Sequence, residues 1–154
     1  MEQKTKVHAA EGRQDLVITR EFDLPLELLF RAYEEPELVE QWMGTKVLKL
    51  ENKQHGSYTF ETSQNGKIMF RANGTIHDFI PNQKIIRTFE MENASMGVQL
   101  EFLEFEKLTD ATSKLTMQIV YRSEKHRAEQ LKLPFKFGIN MAHNKLQEVT
   151  NKLK

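Results

Sequence analysis

The chain has 154 residues, 39% of them hydrophobic, no cysteine, and 22 Lys plus Arg against 22 Asp plus Glu. That length suits one domain with a sizeable core. The missing cysteines exclude thiolate metal sites, thiol nucleophiles and disulfides, and the balanced charge gives no overall basic field for nucleic acid.

Residues 1–14 are polar and read as a flexible lead-in without the apolar core of a signal peptide, so a cytoplasmic protein is expected. Leu16, Ile18 and Phe22 share one face of a first strand. Leu24-Pro25 opens a helix in which Leu26, Leu29, Phe30 and Tyr33 recur at helical spacing. Pro36 opens a second short helix carrying Leu38, Val39 and Trp42, which Gly44 stops. Six further strands are predicted over 47–51, 57–62, 68–80, 85–91, 98–105 and 115–121, separated by turn chemistry. Asn65-Gly66 is the strongest hairpin signal among them. A short helix over 124–131 precedes a long one, in which Phe135, Ile139, Ala142, Leu146, Val149 and Leu153 form a stripe at spacings of three and four. Asn140, Asn144, Lys145, Gln147, Asn151 and Lys152 fall on its other side. No run approaches the roughly 18 apolar residues of a membrane span.

The predicted fold is therefore α+β: a curved antiparallel sheet of seven strands wrapped round a long C-terminal helix, with two short helices after the first strand. A sheet bent round one helix leaves interior space, and Gly74 and Ala142 supply little volume to fill it. The candidate walls are Phe60, Phe70, Ile76, Phe89, Leu100, Phe102, Leu115, Met117 and Ile119 from the sheet, with Ile139 and Ala142 from the helix. Arg87 shares a strand face with Ile85 and Phe89. It either points inward to anchor a ligand carboxylate or belongs to the solvated face.

Ile18 to Phe22 with Pro25 to Phe30, Glu35-Pro36-Glu37-Leu38 with Gln41-Trp42-Met43-Gly44, Gly74 with Asp78-Phe79-Ile80-Pro81, and Thr88-Phe89-Glu90 follow one another in an order that resembles the SRPBCC or START-like superfamily, the helix-grip fold. Within it the chain is most similar to the branch named after the activator of the 90-kilodalton heat-shock chaperone ATPase. The resemblance implies a single START-like domain over 15–154, a cavity between sheet and last helix, and a stress-related or chaperone-linked role. Two departures stand out. Met43 takes the place of a second tryptophan, and the family's Gly-Trp pair in the last helix falls on Met141-Ala142.

Reaction chemistry is sparse. Asn93-Ala94-Ser95-Met96-Gly97 lacks the first glycine of a nucleophile elbow and lies between strands. The five histidines show no metal-ligand spacing, and no cofactor motif occurs. His77-Asp78 is the best acid–base candidate, with Asp78 either facing the cavity or bonded to turn amides beside Pro81. Residues 122–154 carry eight basic and three acidic groups, a solvated face or a patch for an acidic partner. The sequence thus points to binding of a small apolar molecule without catalysis. The alternatives are an interaction module for a chaperone or a second copy of this chain, and a cyclase- or hydrolase-like enzyme using Asp78 or His77.

Overall fold

A computed structural model describes residues 4–154. Eight antiparallel strands form one open sheet: β1 (Lys6–His8), β2 (Asp15–Phe22), β3 (Lys46–Leu50), β4 (Ser57–Gln64), β5 (Lys67–Ile80), β6 (Lys84–Met91), β7 (Val98–Lys107) and β8 (Ser113–Val120), in the order β1-β2-β8-β7-β6-β5-β4-β3. Helices α1 (Leu26–Glu34), α2 (Pro36–Met43), α3 (Glu124–Lys132) and α4 (Phe135–Asn151) complete the helix-grip fold. The sheet has one strand more than the seven expected. The addition, β1, lies inside the segment read as a flexible lead-in and pairs Val7 with Ile18 of β2.

Local chemistry accounts for the element ends. Pro36 is the first residue of α2, where its missing N–H costs nothing, and Gly44 closes that helix at φ 65°. Asn65 and Gly66 join β4 to β5 with φ of 54° and 76°, the primed-turn geometry that suits the twist of a hairpin. Ser123 accepts a hydrogen bond from the His126 amide at 3.1 Å and caps α3.

The core lies between the inner face of the sheet and the helices. Phe30 of α1 meets Phe79 and Phe105 edge-on at 5.4 and 4.9 Å, and Trp42 of α2 donates its indole N–H to the Ala32 carbonyl at 2.7 Å. Leu146 and Val149 seat α4. Its packing departs from the expected stripe, because Asn140 and His143 are buried while Leu153, beyond the helix end, is exposed. The cause is Arg20, which projects from the inner face of β2 and needs acceptors. Its Nη1 donates to Thr5 Oγ1 at 3.0 Å and to Asn144 Oδ1 at 2.9 Å, and Asn140 Oδ1 accepts from the Thr5 amide at 3.1 Å. His143 Nδ1 lies 2.9 Å from the same Thr5 hydroxyl. Residues Asn140 and Asn144, expected on the solvent side, thus bind a buried cation with the help of the segment leading into β1.

Candidate functional site: a cavity beneath the last helix

A cavity of about 270 Å³ opens between β6, β7 and β8 and the first half of α4. Alternation along the strands decides what faces it. β6 presents Arg87 and Phe89, β7 presents Gln99 and Glu101, and β8 presents Met117 and Ile119. Ile139 and Ala142 close it from α4, and Tyr33, Trp42 and Met43 from the two short helices.

Among the described residues its one charged feature is an ion pair. Arg87 and Glu101 are register partners across β6 and β7, which sets the guanidinium Nε 2.9 Å from Glu101 Oε1. Gln99 donates to the other carboxylate oxygen at 2.8 Å. The Arg87 guanidinium also lies 5.3 Å from the centre of the Tyr58 ring. Tyr58 owes its place to Gly74: a Cβ there would meet the Tyr58 ring at 2.4 Å and the Thr88 carbonyl oxygen at 2.1 Å. The space that Gly74 was expected to leave open is therefore filled by Tyr58, whose hydroxyl donates to the Thr88 carbonyl. Burial opposes the charge on Arg87, but Tyr58 and Glu101 outweigh it and hold the guanidinium charged. Burial also pushes the Tyr33 hydroxyl well above its usual range, so the phenol is neutral.

Of the twelve residues expected to line a ligand site, Arg87, Phe89, Met117, Ile119, Ile139 and Ala142 border this cavity. Phe60, Ile76 and Leu115 are buried in the core away from it. Phe70 lies beside a separate surface depression with Ile68 and Met69. Leu100 and Phe102 are on the opposite face of β7 from Glu101, Leu103 and Phe105, which are the buried ones. Arg87 points inward and not to the solvated face. Met43 and Ala142, two of the three positions that the resemblance sets apart from the family pattern, both line the cavity, and each is smaller than the tryptophan that the resemblance implies there.

Three further lining residues, Tyr33, Trp42 and Glu101, carry no sequence signal of a cavity. Tyr33 and Trp42 stand on apolar helix stripes that identify a core but not its empty part. Glu101 was legible only through pairing, since a hairpin turning about residues 92–97 sets it opposite Arg87.

The acid–base candidates lie elsewhere. The β5–β6 register shifts between Ile76 and Asp78, so Ile76 and Phe79 pack inward while His77 is exposed. Asp78 is half-buried and pairs with Lys84, with Oδ2 to Nζ at 3.3 Å. Among the described residues no three His, Asp or Glu are placed to hold a metal ion, and no helix is long and apolar enough to cross a membrane.

The family model described as activator of Hsp90 ATPase homolog 1-like protein matches residues 23–151. No curated protein matches the chain. Among solved structures, a crystal structure of a protein from Rhodobacter sphaeroides is 17% identical with a TM-score of 0.84, covering 97% of this chain and 99% of that one. A solution structure of a protein from Arthrobacter aurescens is 15% identical with a TM-score of 0.84, covering 96% and 91%. A crystal structure of a protein from Mycobacterium smegmatis is 18% identical with a TM-score of 0.82, covering 97% and 99%. At such identities the likeness is one of fold.

Proposed function

Since the chain belongs to the family of activator of Hsp90 ATPase homolog 1-like proteins, we propose that its single START-like domain binds a small, mainly apolar molecule without transforming it. The observation that carries this reading is the cavity of about 270 Å³ under α4. It has apolar walls and one polar cluster, the usual composition of a small-molecule site. Its size, near the low end of such pockets, favours a compact ligand over a long lipid. The test is titration of the folded protein with Nile red, a neutral dye that brightens in apolar surroundings. One dye per chain should bind under native conditions. Fluorescence that rises only as the protein begins to unfold would remove the reading.

A second reading, a protein-interaction module, draws on the family's description and on Leu133, Phe137 and Met141, which are exposed at the start of α4 and just before it. The partner would be a 90-kilodalton heat-shock chaperone or a second copy of this chain. Sedimentation of the protein alone and with the chaperone tests both, and unshifted boundaries would set the reading aside.

A further inference from the structure

The polar end of the cavity carries information about what binds there. Arg87 is only 8% exposed, and its Nε donates to Glu101. Among the described residues nothing accepts from its two terminal nitrogens, although the side chain borders the cavity. The neutral Tyr33 hydroxyl, also at the cavity wall, has no hydrogen-bond partner among the described residues either. Glu101, by contrast, has both oxygens engaged, one by Arg87 and one by Gln99. At Arg87 and Tyr33 the cavity thus offers donors, its one acidic acceptor is occupied, and the Gln99 and Gln130 amides that also line it can donate or accept.

Its charge is as informative as its donors. Among the described residues Arg87 and Glu101 are the only basic and acidic ones that line it, and they neutralise each other. A carboxylate arriving at Arg87 would lose its hydration and meet Glu101 across the same guanidinium, leaving one uncompensated negative charge in an apolar enclosure. A carbonyl oxygen has no such penalty and still accepts from two of the free donors, one on Arg87 and the Tyr33 hydroxyl, which are costly to leave unpaired. Resting on the cavity reading above, we propose that the ligand presents a neutral carbonyl acceptor, of the ketone, ester or amide class, to Arg87 and Tyr33, with its apolar body against Ile119, Ile139 and Ala142. This replaces the carboxylate-anchoring role that the sequence alone suggested for Arg87.

Three compounds of nearly equal size separate the possibilities by isothermal titration calorimetry: 2-acetonaphthone, 2-ethylnaphthalene and 2-naphthoate, near neutral pH where the acid is ionised. The ketone should bind about tenfold or more tightly than either of the others. In Glu101→Gln, where Arg87 loses its counter-charge, naphthoate should gain on the ketone by about tenfold, in a variant checked for native circular dichroism. Naphthoate binding as tightly as the ketone to the unaltered protein would overturn the neutral-acceptor assignment and leave the cavity reading standing. Equal binding of ketone and ethylnaphthalene would overturn the role of Arg87 and Tyr33. If none of the three binds, the cavity reading falls and this one with it. The comparison on the unaltered protein decides the matter even if Glu101→Gln does not fold.

Discussion

His143 is fully buried beside Arg20, and burial first, then the charge of Arg20, lowers its pKa to about 3. In the unfolded chain the same imidazole titrates near 6.5. Between those values the unfolded state takes up a proton that the folded state refuses, so stability falls as pH falls. From pH 6.5 to 4.5 the loss should be about 2–3 kcal/mol. Urea denaturation across that range should show it, and His143→Asn, which keeps a polar atom near the Thr5 hydroxyl, should flatten the curve. An unchanged slope in the variant would mean that His143 is not the titrating group. Asp15 acts in a lower window: hydrogen bonds from Arg13 and then Gln118 depress its carboxyl to about 2, so its contribution is lost only as pH falls below about 4. Ala142 tests the cavity in the same way. Ala142→Trp should fill the space, hold or raise the melting temperature and abolish Nile red binding. In a close-packed interior the same change would cost about 1–3 kcal/mol or more, and a sharply lowered melting temperature would contradict the assignment of open volume there.

Helix α4 shows how one element can serve two tasks. Leu146 is fully buried, and Leu146→Ala should lose about 2–5 kcal/mol in denaturant melts. Lys145→Ala, which removes only an exposed ion pair with Glu148, should change stability by no more than about 0.5 kcal/mol. Equal effects would mean that the helix is not seated as described. Its apolar periodicity was plain in the sequence, as were both short helices and most strands. The role of Asn140 and Asn144 was not, because their need arises from Arg20, more than a hundred residues away. Two strand faces misled for different reasons. In β7 both faces carry large apolar residues, so Leu100 and Phe102 compete with Leu103 and Phe105, and alternation alone cannot rank them. In β5 the register shift after Ile76 reverses the alternation, and no residue type at His77 announces it. The expected wall residues that border the cavity stand on strands with one mainly apolar face, Phe89, Met117 and Ile119, or on the helix stripe, Ile139 and Ala142, and Arg87 shares the face of Phe89.

At the scale of the whole molecule, the helix grip explains why a chain with so little shared identity keeps the arrangement of its structural neighbours: the sheet needs only an apolar inner face and a helix to cover it. The cavity contents can then vary through single exchanges such as those at Met43 and Ala142. The sheet does not close, however: among the described residues β1 and β3 are its two ends, and in β3 the Val47 amide donates to Glu40 Oε2 at 2.9 Å rather than to a further strand. Such edges are templates for pairing with another chain. β1 is only three residues long, which limits what can add to it. β3 carries Lys46 and Lys49, and its register with β4 shifts between Val47 and Lys49, so a fifth residue, Leu48, interrupts the ladder and is exposed. Charge and bulge together guard a strand whose other residues, Val47, Leu48 and Leu50, are all apolar. Replacing both lysines, in Lys46→Val with Lys49→Val, should leave the melting temperature of the dilute protein almost unchanged. Light scattering at high concentration should nevertheless reveal chains adding edge to edge, an open-ended growth that the native sequence holds off with two side chains and one misplaced residue.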